Sequence, residues 1–139
     1  MAAIVCCGNS DVLKRYAPDA IIITADEHTT VPTIAAQLMR QRAGEQHVLV
    51  LDANATTHAA ALGFSQRAAR NPFRGYILIN PMQLPAAGVG DYDWPDAPIA
   101  VVSTSGIAHT AAELRGWRSI TCAEDEVPSV IAELVSEFR

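Results

Sequence analysis

Three short stretches of this chain gather residue types that move protons or hold anions. In Asp52-Ala53-Asn54-Ala55-Thr56-Thr57-His58, an acid or an amide that can hold and polarise a substrate is followed by an imidazole, six residues past Asp52, able to act as acid or base. Asp26-Glu27-His28 sets two carboxylates beside an imidazole, a grouping suited to proton transfer with a tuned histidine. Ser103-Thr104-Ser105-Gly106, with His109 just beyond, offers hydroxyls, a glycine and helix N–H groups, the chemistry of an anion nest. A fourth candidate is Cys7 beside Gly8, where a following helix N-terminus would lower the thiol's pKa and make it a nucleophile. Each has a plainer reading. Thr56 and Thr57 cap a helix after a strand that ends at Asp52, Asp26–His28 is a solvated turn, and the serines form a capping turn. Cys7 is then a small buried hydrophobe, like Cys6 on the opposite face.

These stretches share one position: each follows a short apolar run and precedes a helical pattern. The runs are Ile4–Cys7, Ala20–Thr24, Val48–Leu51, Tyr76–Ile79, Ile99–Val102 and Arg118–Cys122. Most are continuous and β-branched where strongest, the pattern of parallel strands buried on both faces. Between them, Ser10 caps a helix over Asp11–Tyr16. Thr30 or Thr33 starts a helix that puts Ile34, Leu38 and Met39 on one face and ends at Gly44. Thr56 or Thr57 starts an alanine-rich helix that Asn71-Pro72 stops. A fourth helix follows Thr110, and Pro128 opens a last one with Val130, Ile131, Leu134, Val135 and Phe138 inward. Alternating strand and helix predicts an α/β fold: three layers around a mostly parallel open sheet of about six strands, one domain over residues 1–139. Such sheets bind ligands at the carboxyl ends of their strands, where the candidate residues fall. Pro81–Pro98 breaks the rhythm with four prolines and the anchors Met82, Tyr92 and Trp94, and reads either as a lid or as a plain crossover.

The strand ends resemble those of the α/β-hydrolase superfamily. Val5-Cys6-Cys7-Gly8 is similar to the family's strand that ends in His-Gly, and Ile21–Asp26 to the next one, which ends in an Asp. Val48 to Thr57 falls where the family has a strand and the nucleophile elbow G-x-S-x-G. Tyr76-Ile77-Leu78-Ile79-Asn80-Pro81 resembles the following strand, and Glu126-Val127-Pro128 to Phe138 the final helix. The resemblance implies a shortened hydrolase-like core with altered chemistry. Asp52, Asn54 and Thr56 stand where Gly, Ser and Gly would, and an amide is a very poor nucleophile. Ser103-Thr104-Ser105-Gly106 stands at the triad acid and Ala123-Glu124-Asp125 at the triad histidine. With no counterpart of the family's first two strands ahead of Ile4, the resemblance puts Ile21–Thr24 at the sheet edge, and an edge that apolar predicts a homodimer. A flavodoxin-like or Rossmann-like domain is the other fold considered, but G-x-G-x-x-G and Walker A sequences are both lacking.

Composition narrows the partners. In 139 residues, half are apolar and 18% charged, with a net charge of −5 and Lys14 the only lysine. That balance argues against nucleic acid or an anionic membrane as main partner. No apolar run approaches the ~18–20 residues of a membrane span. Three cysteines without C-x-x-C spacing and the scattered His28, His47, His58 and His109 predict a reduced, cytoplasmic setting with neither metal nor cofactor. Two functions follow. One is an atypical enzyme acting on a small, largely apolar molecule by acid–base catalysis, as a lyase, isomerase, cyclase or hydrolytic type. Asp52, Asn54, His58, His28 and Ser105 would carry the chemistry, and Cys7, Gly8, Asp26, Met82, Tyr92, Trp94 and His109 would line the pocket. The other is a catalytically inactive binding or assembly module on the same fold.

Overall fold

A computed structural model describes residues 4–26, 28–42, 46–82, 84, 95, 97–106 and 109–138. The expected runs become six strands: β1 (Ile4–Gly8), β2 (Ile21–Thr24), β3 (Val48–Asp52), β4 (Gly75–Ile79), β5 (Ile99–Ser103) and β6 (Arg118–Thr121). All neighbours pair in parallel, in the order β2-β1-β3-β4-β5-β6. Strand β2 therefore lies at one edge, where the resemblance puts it, and β6 at the other. The helices are α1 (Ser10–Tyr16), α2 (Val31–Gln41), α3 (Ala59–Ala68), α4 (Thr110–Leu114) and α5 (Val127–Glu137).

The order reverses between β1 and β3, and right-handed crossovers then send helices to both faces. Leu13 and Tyr16 of α1 and Ile131 and Leu134 of α5 pack on one side, with Cys6, Val48 and Val50. Ile34 and Leu38 of α2, Leu62 of α3 and Ala112 of α4 pack on the other, with Cys7, Leu49 and Leu51. Alternate residues of one strand thus feed opposite clusters, which is why the runs are apolar at consecutive positions. At the start of β4, Gly75 lies so close beneath Phe138 that a Cβ there would come within 2.3 Å of the ring.

Local chemistry sets the element ends, and two expected caps and one expected inward residue differ from the sequence reading. The cap of α1 is Asn9 instead of Ser10, its Oδ1 accepting from Asp11 N at 3.0 Å and Val12 N at 3.2 Å. Thr56 and Thr57 lie inside a 3-10 helix (Ala53–His58) ahead of α3. There the Thr56 hydroxyl donates to the Ala53 carbonyl at 2.7 Å and closes that turn instead of capping α3. Met39 is 65% exposed, on the outer side of α2, while Ile34 and Leu38 are fully buried. Thr30 does cap α2, accepting from Thr33 N. Helix α2 ends at Gln41, and Gly44 lies outside the described residues. Helix α3 stops before Asn71-Pro72 in a Schellman arrangement: Arg70 takes φ 62, Arg70 N donates to the Arg67 carbonyl and Asn71 N to the Gln66 carbonyl.

Candidate functional site

The carboxyl ends of the strands meet at the reversal between β1 and β3. Asp52, the last residue of β3, is 7% exposed, and its Oδ1 accepts from Asn9 N at 3.2 Å. This ties the turn after β1 to the end of β3. The carboxylate fills the space over Gly8, where a Cβ would lie 1.8 Å from Asp52 Oδ1. Gly8 has φ +149, so both its backbone and its neighbour require glycine. Burial raises the Asp52 pKa above the ordinary carboxylate value, and the Asn9 N–H offsets only part of this. Directly after Asp52, the residue at the apex of the strand-to-helix turn is Ala53, with φ 40. The strained position of an elbow therefore carries a methyl group. Asn54 lies one residue on, within the 3-10 helix.

Across β1, the end of β2 forms a self-contained turn. Asp26 Oδ1 accepts from His28 N at 2.8 Å, Thr29 N at 3.0 Å and the Thr29 hydroxyl at 3.1 Å. These bonds, the one from His28 N foremost, hold the Asp26 pKa below its ordinary value. Asp26 thus organises the turn with one oxygen, and His28 contributes its backbone N–H to the same turn. His58, at the end of the 3-10 helix, places Nε2 3.3 Å from the Asp26 carbonyl oxygen and so joins the main chain of this turn. Gly8, Asn9, Ser10, Thr24, Asp26 and Thr29 border a shallow crevice of about 270 Å³.

A larger cleft, about 660 Å³, opens at the ends of β4 and β5. Asn80, Pro81, Ser103, Thr104, Ser105, His109, Thr110 and Ala111 line it. Asn80 adopts φ 47 just past β4, a conformation asparagine tolerates. Its amide grips Thr104 twice: Nδ2 donates to Thr104 Oγ1 at 2.9 Å, and Oδ1 accepts from Thr104 N at 2.9 Å. This double bond fixes the two strand ends against each other and sets Ser103, Thr104 and Ser105 along the cleft. Ser103 is buried, Ser105 exposed. His109 is held through its N–H, which donates to Ser119 Oγ at 3.2 Å, and among the described residues its buried Nδ1 has no hydrogen-bond partner. Among the described residues, every polar side chain lining the cleft is an amide, a hydroxyl or an imidazole. Met82 stands nearby in sequence, 75% exposed, whereas Tyr92 and Trp94 lie outside the described residues.

The remaining candidate, Cys7, is fully buried with its thiol pushed up to about 12, chiefly by burial and then by Asp52. A thiol in that state packs and does not attack. The sequence reading missed a second polar cluster, at the amino end of the sheet. Arg42 and His47 are 3% and 1% exposed, and Gln66 is as buried as His47. The guanidinium donates from Nε to His47 Nδ1 at 3.2 Å, and from NH1 to Gln66 Oε1 at 2.8 Å and the Asn71 carbonyl at 2.6 Å. It also stacks 4.2 Å above the Phe73 ring. The one cue in sequence was an arginine at the end of an amphipathic helix. Its partners are up to 30 residues away and follow no local pattern.

Fold and site together define a doubly wound α/β domain with its clefts at the carboxyl edge of the sheet. No protein-family model matches this chain, and no curated protein matches it either. Among the described residues, no three His, Cys, Asp or Glu side chains stand together as metal ligands, and no helix is long and apolar enough to cross a membrane.

Proposed function

We propose that this chain is a binding module of α/β-hydrolase-like build that holds a small molecule in the β4–β5 cleft without covalent catalysis. The observation that carries this reading is Ala53 at the strained apex after β3, where an elbow would present its nucleophile. Two further features support it. The Asp26 carboxylate is engaged in its own turn, and the described lining of the β4–β5 cleft offers an amide, hydroxyls and an imidazole set on rigid strand ends. The edge position of β2 agrees with a hydrolase-like strand order, and its Ile21-Ile22-Ile23-Thr24 sequence supports a homodimer. Three free cysteines, two of them in opposite core clusters, support a reduced cytoplasmic setting.

A second reading, acid–base catalysis without a serine triad, is favoured by Asp52. A buried carboxylate of raised pKa at the point where the winding reverses is the kind of group that serves as a general acid or base. One experiment separates the two. A library of small molecules is screened by thermal shift against wild type and Ala111→Trp, whose indole fills the β4–β5 cleft, and the hits are incubated with wild type and Asp52→Asn. Binding predicts hits that stabilise wild type, lose effect in Ala111→Trp and return unchanged from incubation. Hits consumed by wild type and spared by Asp52→Asn would establish the enzyme instead.

A further inference from the structure

Strand β2 ends the sheet, and among the described residues no strand lies on its outer side. It pairs with β1 from Val5↔Ile21 to Gly8↔Thr24, and Ala25 N continues the ladder by donating to the Gly8 carbonyl at 3.0 Å. In a parallel strand the N–H and C=O of one residue point to the same side, and those of the next residue to the other. Ala25 bonds towards β1, so Ile23 and Ile21 do the same, and Ile22 and Thr24 turn their N–H and C=O outward. Charged residues or proline commonly blunt such an edge, and Ile21-Ile22-Ile23-Thr24 carries neither.

The flanking residues narrow how this edge can be used. Ahead of β2, Ala20 N already donates to the Ala17 carbonyl at 3.1 Å. Beyond it, Asp26 N donates to Thr29 Oγ1 at 3.1 Å, and the Asp26 carbonyl accepts from Thr29 N at 3.2 Å. We propose that two copies of this chain pair through β2, antiparallel about a twofold axis at Ile23, so that their sheets become one. The pairing rests on the homodimer proposed above and fixes its geometry. Ile22 faces the partner's Thr24 and Thr24 the partner's Ile22, each pair exchanging both of its N–H···O=C bonds. An axis at Ile22 would call on the Ala20 N–H, and one at Thr24 on the Asp26 N–H, both already committed.

Side chains and charge fit the same register. Ile23 meets the partner's Ile23 on the α2 face, and Ile22 lies beside the partner's Thr24 on the α1 face, all of them β-branched. The amino end of β2 lies by the last turns of α1 and α2, which carry Lys14, Arg15 and Arg40, with Asp19 among them. At the carboxyl end, Asp11 and Asp26 border the crevice beside Thr24. Antiparallel order, which a twofold axis imposes on identical strands, sets each basic end against the partner's acidic one.

Amide exchange by NMR and the mass by light scattering, both on the wild-type chain at hundreds of micromolar, test this. At the mass of a dimer, the Ile22 and Thr24 amides should exchange within about tenfold of those of Ile21 and Ile23. Thr24→Pro removes one outward N–H and keeps the bonds to β1, which come from Ile21 and Ile23. With one bond lost from each chain, its dimer should dissociate with a Kd weaker by about tenfold or more. A dimer whose Ile22 and Thr24 amides exchange freely, or an unchanged Kd in Thr24→Pro, overturns the strand pairing and leaves the homodimer to another surface. A single-chain mass at that concentration removes the homodimer and its geometry together. If Thr24→Pro does not fold, the wild-type amides decide alone.

Discussion

Asp52 and Gly8 form a pair in which each residue dictates the other. The carboxylate sits over Gly8 and bonds the next residue's N–H, so the turn after β1 is built around it. Gly8→Ala should therefore cost about 3 kcal/mol or more, since the added methyl meets both the carboxylate and an unsuitable φ. Removing the carboxylate as well, in Gly8→Ala/Asp52→Ala, should recover part of that loss but not the part due to φ. Urea unfolding of the two variants measures the difference. The pH dependence of Asp52 runs opposite to that of most native carboxylates. Its pKa is raised, so the folded chain binds the proton more tightly than the unfolded chain, and stability is lost as pH climbs from the unfolded value through the folded one. Asp52→Asn keeps an acceptor for Asn9 N and should unfold at higher urea than wild type at neutral pH, with the two converging in acid. An equal or lower midpoint at neutral pH would mean that the charged carboxylate is a net support for the fold. Asp26 has the reverse sign: its pKa is lowered, and what it adds is present above the unfolded value and lost in acid.

At the scale of the elements, the helix ends hold the information that sequence pattern does not give. The end of α3 places Arg70 at φ 62 in a Schellman turn, a conformation that suits glycine better than a residue with a Cβ. Arg70→Gly should accordingly raise stability by roughly 0.5–1 kcal/mol, read as a shift in the urea midpoint at unchanged slope. Arg42→Met, which keeps the bulk of the stem and removes the donors, should cost about 3 kcal/mol, because the acceptors of Gln66 and Asn71 lose a buried partner. The four inner strands, β1, β3, β4 and β5, were legible because each is covered on both faces and so reads as an unbroken apolar run, as Val48-Leu49-Val50-Leu51 does. Strand ends were less so. The ladder pairs Asp52 with Ile79 and carries β3 one residue past its apolar run, which moves the strained apex from Asn54 to Ala53. The double grip of Asn80 on Thr104 joins residues 24 apart, and the Arg42 cluster joins α2 to α3 and the segment beyond. Both depend on which strands and helices become neighbours, and no local spacing encodes that.

The whole molecule is asymmetric in how it treats its two sheet edges. Strand β6 carries an Arg118–Glu137 ion pair, and its Ser119 hydroxyl binds the N–H of His109. Strand β2 is Ile-Ile-Ile-Thr, with no charge or proline to discourage pairing. Light scattering at tens of micromolar should report a dimer, and Ile22→Lys should return it to the mass of one chain; a wild-type monomer would remove the edge-pairing account. At the carboxyl edge, the same sheet offers a rigid cleft whose described lining bears hydroxyls, an amide and an imidazole, beside an apex that lacks a nucleophile. The most direct measurement of that account is a crystal structure of the wild-type protein soaked with a small-molecule fragment library. Fragments should lie among Asn80, Ser105, His109 and Thr110, intact and without a covalent bond to the protein. An empty β4–β5 cleft, with a fragment bonded or converted beside Asp52, would contradict it.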